Sequence, residues 1–190
     1  MTIKIGVLAL QGGVEEHLKH LKRINKVRGV SIKKTEELNS CQGLIIPGGE
    51  SSTLKKLINK YNFKKAILNF HKSNKKIWGS CAGLIILAKE IENEASSLGL
   101  LDIKVQRNAF GSQLNSFIYK AKIPAISKHK IEQVFIRAPI ITKVNPKLKI
   151  LASYKNQITA VESKNILATS FHPELTDDLS VHKYFVKKLL

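Results

Sequence analysis

Three times in its first half the chain runs through a short apolar stretch, breaks on glycine and resumes with helical spacing. Ile3–Leu10 leads through Gln11-Gly12-Gly13 into Val14–Leu21. Gly43–Ile46 leads through Pro47-Gly48-Gly49 into helical segments from Ser52 to Phe70, with Leu54, Leu57 and Ile58 on one face. Lys76–Trp78 leads through a glycine-flanked turn into the helix after Cys81. A strand that is apolar at nearly every residue leaves no face for water, and an intervening helix lets successive strands run parallel. The pattern therefore predicts a parallel sheet covered by helices on both faces.

The later chain changes character. Short β-like runs follow one another between Gln113 and Phe171: Phe117–Tyr119, Gln133–Ile136, Ile150–Tyr154, Ile158–Val161 and Ile166–Thr169, with Lys155-Asn156 and Lys164-Asn165 as tight turns. They read as added strands of a mixed sheet, and a helix over 178–190 closes the chain. The predicted fold class is α/β, a three-layer sandwich with a mostly parallel mixed sheet. No linker, repeat or low-complexity segment divides residues 1–190, so one domain is expected. A chain of this length buries roughly 70% of the surface its unfolded form exposes, enough for a single core.

Composition excludes more than it specifies. With 43% hydrophobic and 24% charged residues the chain is not of the disordered class. No apolar run approaches the roughly 18 residues of a membrane span, and the N-terminus lacks a small-residue cleavage site, so a soluble cytoplasmic protein is expected. Cys41 and Cys81 are expected to be reduced, Cys41 as a packing residue. The net charge of +18 invites a nucleic-acid reading, but only four of the 32 basic residues are arginines (Arg23, Arg28, Arg107, Arg137). The lysines are scattered and not interleaved with aromatics, which is the pattern of a solvated surface.

The glycines fit neither a G-x-G-x-x-G fingerprint nor a P-loop, since Gly48-Gly49-Glu50-Ser51-Ser52-Thr53 lacks the lysine. Gly79-Ser80-Cys81-Ala82-Gly83 instead reads as a nucleophile elbow: flanking glycines let strand and helix approach, and a strained turn displays the thiol at a helix N-terminus, where the dipole favours thiolate. Taken alone, the motif also suits a buried inert cysteine. His172-Pro173-Glu174 places a carboxylate two residues beyond a histidine. In extended backbone the two share a face, so Glu174 can orient an imidazole that serves as base, although alone the stretch also suits a surface turn. His17, His20, His71, His129 and His182 lack such a partner and are read as surface or packing residues. No spacing suggests a metal site. The turn Pro47–Ser51 falls at the carboxyl edge of the sheet, where the N–H groups of Gly49 and Ala82 are the expected oxyanion donors.

Taken together these pieces resemble the class I glutamine amidotransferases, a flavodoxin-like fold, with Cys81, His172 and Glu174 as the triad. Six segments, 6–12, 47–51, 81–85, 107–111, 135–139 and 171–176, together resemble the glutaminase subunit of the two-component pyridoxal 5'-phosphate synthases. The resemblance implies hydrolysis of L-glutamine to glutamate and ammonia, with the ammonia passed to a synthase subunit, in a hetero-oligomer of twelve glutaminase chains on a twelve-chain synthase core. It implies glutamine contacts at Gly49, Glu50, Ser51, Arg107, Ile136 and Arg137, and no cofactor. Ser80 stands where a threonine is usual, and Ser112 and Ser180 where arginine is common. Two rival readings share parts of the pattern: a glutaminase feeding a different synthase, and a lysine-rich binding module whose triad is vestigial.

Overall fold

The structure is a computed structural model describing residues 2–109 and 116–190. The first unit forms as strand β1 (Ile3–Leu8) and helix α1 (Val14–Lys22). It is followed by β2 (Val27–Ile32), β3 (Gly43–Ile46), α2 (Ser51–Lys60), α3 (Phe63–Lys72), β4 (Lys76–Ser80) and α4 (Ala82–Leu87). Then β5 (Ala88–Ile91), β6 (Leu101–Gln106), β7 (Ser116–Lys122), β8 (Lys130–Ile136), β9 (Ile140–Val144), β10 (Lys149–Tyr154), β11 (Gln157–Glu162) and β12 (Ile166–Thr169) lead to α5 (Ser180–Lys187).

Among the described residues, one ten-stranded sheet runs in the order β2-β1-β3-β4-β12-β11-β9-β6-β5, with β10 paired to β11. The half from β2 to β12 is wholly parallel, and antiparallel pairing begins at β11. Alternation along these strands divides the core into two layers. Leu44, Ile46 and Ile77 meet Leu54, Ile58 and Ile67 of α2 and α3 and Leu84 of α4 on one face. Val7, Ile45 and Trp78 meet Leu21 of α1 and Val181 and Phe185 of α5 on the other. Burying each such side chain stabilises by about 1.5–3 kcal/mol relative to leaving it in water. The result is a mixed, mostly parallel sheet flanked by helices, the expected class.

Two of the predicted added strands lie elsewhere. β7 and β8, which contain Phe117–Tyr119 and Gln133–Ile136, form a separate antiparallel ribbon. Their alternating pattern has one apolar face to bury, while Ile118 is 63% exposed on the other. That apolar face packs as an aromatic layer, with Phe117 against Tyr154 of β10 at 4.8 Å and Phe135 against Phe171 at 5.8 Å between ring centres. The helical segments expected from Ser52 to Phe70 are two helices, divided where Asn62 takes a left-handed φ of 59°. β2, which Arg28, Gly29 and Ser31 disguise, sits at the sheet edge and needs only partial burial. The Lys155-Asn156 turn has φ of 44° and 64°, the two-residue geometry that suits a twisted hairpin. The segment 110–115, including Phe110, Gly111 and Ser112, lies outside the described residues.

The passage from β4 to α4 is the tightest in the fold. A Cβ on Gly79 would come within 2.5 Å of the Gly83 carbonyl carbon, and one on Gly83 within 2.0 Å of the Ile46 carbonyl oxygen on β3. Both obstacles are backbone, so neither yields by a rotamer change. Gly83→Ala is therefore expected to destabilise the protein by about 1–3 kcal/mol, read as a lower urea midpoint at unchanged slope.

Candidate active site

Strands β4 and β12 are neighbours, and Ser80 is paired with Thr169. The next N–H, that of Cys81, donates to the Thr169 carbonyl at 2.8 Å. The chain then turns into α4 with Cys81 at φ 46° and ψ −101°, a left-handed conformation that a side chain rarely adopts. Three residues beyond Thr169, the His172 N–H donates to the Val134 carbonyl of β8 at 2.8 Å, so the ribbon anchors the histidine. Pro173 starts a single 3-10 turn, Pro173–Leu175, that swings Glu174 back. The backbone between the two residues is thus a tight turn and not the extended link that the sequence suggested, and proline suits its first position. Nδ1 of His172 lies 2.8 Å from Oε1 of Glu174.

Cys81 lines the same cavity as this imidazole, and its sulfur lies 3.9 Å from the Ile136 carbonyl oxygen. Gly48 makes the approach possible, since a Cβ there would stand 2.3 Å from Cε1 of His172 and 3.3 Å from Cβ of Cys81. Burial opposes charge on His172. Its hydrogen bonds to Cys81 and Glu174 and the charges on those groups outweigh burial, raising its pKa to about 10. At neutral pH the ring therefore carries a proton. Glu174 is 4% exposed. Burial pushes its carboxyl up, but the hydrogen bond and charge of His172, with His17 beside it, pull it further down, so its pKa is lowered.

Cys81 and His172 open into a cavity of about 160 Å³. Gly49, Glu50, Ser51, Arg107, Ile136 and Arg137, the residues expected to contact glutamine, all line it, and Ile85 and Asn108 complete the wall. Ala82, the other expected oxyanion donor, opens α4 directly behind the sulfur. Cys81, Asn108 and Arg137, with φ of 46°, 49° and 43°, are non-glycine residues in left-handed backbone, and all three border the cavity. Strain of that kind gathers where geometry is imposed for a purpose. Arg107 pairs with Glu50 at 3.4 Å and with Glu94, and donates to the Ser52 hydroxyl at 3.2 Å. The wall thus offers cations and a carboxylate, which suits a zwitterionic ligand.

The turn itself is held from two sides. Gly48 N–H donates to the Ser80 hydroxyl at 3.0 Å. The Gln11 side-chain amide brackets Glu50, donating to its carbonyl at 3.1 Å and accepting from its N–H at 3.2 Å. Ser180 opens α5, its N–H on the Asp178 carboxylate at 2.7 Å. Cys41 is a buried free thiol whose pKa burial pushes up.

Three of the histidines assigned to surface or packing roles form a buried cluster behind Glu174. Nε2 of His17 lies 3.5 Å from Oε2 of Glu174 and 3.2 Å from the Ser80 hydroxyl, and its Nδ1 lies 2.9 Å from Nε2 of His182. His20 stacks on His182 at 4.5 Å. The available signal was spacing: His17, His20 and Leu21 recur on one face of α1, the core face. Among the described residues no group of three or more His, Cys, Asp or Glu is arranged to hold a metal, and no helix is long and apolar enough to cross a membrane.

Residues 7–190 match the model of the SNO glutamine amidotransferase family. A relative in Thermoanaerobacter sp. (strain X514), pyridoxal 5'-phosphate synthase subunit PdxT, is 50% identical over 97% of this chain and 98% of its own. The protein of the same name in Clostridium botulinum (strain Loch Maree / Type A3) is 47% identical over 99% and 98%. A solved structure described as a glutamine amidotransferase superposes with a TM-score of 0.91 at 38% identity, over 97% of this chain and 98% of that one.

Glu50 has a second task besides facing the cavity. Its carboxylate accepts from the N–H of Ser52 at 3.0 Å and of Thr53 at 2.6 Å, capping α2. The hydrogen bond with the Thr53 side chain, helped by those N–H groups, lowers its pKa to about 2 against the opposing effect of burial. The side chain is 45% exposed, so screening limits the gain. Glu50→Ala should lower stability by about 1 kcal/mol at pH 7. A depressed carboxyl stabilises only above its unfolded value. The difference between wild type and variant should therefore shrink as pH falls from about 4.5 toward about 2, as urea midpoints across that range would record.

Proposed function

The chain belongs to the SNO glutamine amidotransferase family, and from that premise we propose that it hydrolyses L-glutamine to glutamate and ammonia for a pyridoxal 5'-phosphate synthase partner. The observation that carries the chemistry is one cavity lined by a strained cysteine at the end of β4 and by an imidazole that Glu174 holds at 2.8 Å. The partner is supported by relatives named as subunits of that synthase.

The sulfur of Cys81, its proton resident on His172, attacks the carboxamide carbon of glutamine. Negative charge gathers on the carboxamide oxygen, where the N–H groups of Gly49 and Ala82 receive it. Each such donor contributes roughly 3–4 kcal/mol in the transition state. His172 gives its proton to the amide nitrogen, and ammonia leaves a thioester. The now neutral imidazole takes a proton from water as the oxygen adds to the thioester carbon. Collapse releases glutamate and returns sulfur and imidazolium to their starting states, so the cycle consumes one water and one glutamine. Glu174 keeps Nδ1 of His172 occupied and its far nitrogen toward sulfur. Arg107 and Arg137 hold the substrate carboxylate and Glu50 its ammonium, and Ser51 and Ile136 complete the cradle. The same reading makes the chain a cytoplasmic subunit of a hetero-oligomer with the stoichiometry that the resemblance implies.

Ammonia release from glutamine, measured with and without the synthase subunit, tests the proposal. Wild type should be sluggish alone and faster in the complex. Cys81→Ala should lose activity by roughly 10³-fold or more while still binding its partner. Equal rates with and without partner would remove the dependence, and substantial turnover by Cys81→Ala would remove the nucleophile.

A further inference from the structure

Resting on the glutamine hydrolysis proposed above, we infer that His17 is a positioning residue of that site: a neutral imidazole whose Nε2 proton is aimed at the far oxygen of Glu174 and held in that tautomer by His182. Oε1 of Glu174 is engaged by His172, while Oε2 is buried and has no settled hydrogen bond among the described residues. A buried carboxylate oxygen without a donor is costly. The nitrogen beside it is Nε2 of His17, 3.5 Å away, a distance that closes readily when a site tightens on substrate. If that nitrogen bore a lone pair, two acceptors would face each other in the interior.

A second atom decides the same way. Nδ1 of His17 and Nε2 of His182 are 2.9 Å apart, and one must donate to the other. If His17 carried its proton on Nδ1, His182 would accept there and carry its own proton on its Nδ1, which is buried with no partner. That arrangement orphans an N–H and leaves Oε2 of Glu174 facing a lone pair. The opposite arrangement donates from His182 to His17, leaves His182 with only an unused lone pair, and presents the Nε2 proton of His17 to Glu174. Charging either ring is resisted by the surroundings: burial lowers the pKa of His17, and burial with the neighbouring His17 and His20 lowers that of His182.

The same Nε2 also lies 3.2 Å from the Ser80 hydroxyl, which accepts the Gly48 N–H at 3.0 Å. His17 therefore ties the carboxylate that orients His172 to the turn beneath the imidazole. Trp78, edge-on to both rings at 5.1 Å and 4.8 Å, fixes their planes.

The test labels histidine with ¹⁵N in the full chain and reads its tautomers from long-range ¹H–¹⁵N correlations at neutral pH. His17 protonated on Nε2 alone is the expected spectrum; protonation on Nδ1, or on both nitrogens, overturns the inference. Ammonia release with the synthase subunit present supplies the functional arm. His17→Leu should lower kcat by about tenfold or more with KM within about twofold, and His17→Gln, whose amide can present an N–H at the same reach, should recover to within about threefold of wild type. A leucine variant as fast as wild type, or a folded glutamine variant no better than leucine, would also overturn it. Should His17→Leu not fold, the wild-type spectrum decides. An inactive wild type would instead remove the proposed function, whereas altered tautomers with normal turnover would remove only this inference.

Discussion

One hydrogen bond, from the Cys81 N–H to the Thr169 carbonyl at 2.8 Å, sets everything that follows in the site. It is the last rung of the parallel pairing between β4 and β12, strands that are neighbours in space and far apart in sequence. Below it, Trp78 Nε1–H donates to the Thr169 hydroxyl at 3.2 Å, which in turn donates to the Phe171 carbonyl at 3.3 Å, so the register is pinned by side chains as well as ladder bonds. A slip of one residue would turn Trp78 to the opposite layer and carry Cys81 away from His172. The chemistry thus depends on a sheet register that two apolar layers enforce.

Within that frame the electrostatics follow from burial. A carboxylate as enclosed as Glu174 stays ionised only if its surroundings donate to it, and an imidazole as enclosed as His172 stays charged only if anions face it. Each supplies the other's need. His17 and His182 behind Glu174 extend the principle inward: burial resists charge on both, so they offer N–H dipoles without adding a second charge to the interior. Their placement on α1 and α5 brings the helices of one face into a site otherwise built from strand ends and turns.

What was legible in the sequence was local and strongly patterned. The three strand-turn-helix units are there because glycine punctuates fully apolar strands. Cys81 stood out because Gly79 and Gly83 flank it, and His172 because a proline and a carboxylate follow it. What stayed hidden was relational. His17 and His182 are 165 residues apart, and their contact exists only because α1 and α5 cover the same sheet face. The β7–β8 ribbon looked like more central sheet, since alternation specifies one buried face and not what buries it. β2 escaped notice because an edge strand needs little apolar continuity. The link from His172 to Glu174 has the expected reach through a different backbone, as proline equally suits the first position of a tight turn.

The distribution of backbone strain gives these pieces a common cause. A non-glycine residue in left-handed backbone costs on the order of 1 kcal/mol or more and persists only where surrounding packing over-determines it. Cys81 is held by the β4–β12 ladder below and the glycine-lined passage to α4 above. Arg137 is held between β8, whose Val134 carbonyl anchors His172, and β9 of the main sheet. Asn108 follows the end of β6, and the next residue, Ala109, donates to the Ala138 carbonyl at 3.3 Å, so the second and third strained turns brace each other. These three strained residues therefore each sit where a strand ends at the cavity wall. The core supplies the rigidity, and the carboxyl edge spends it on placing a sulfur, an imidazole and two arginines around one small space.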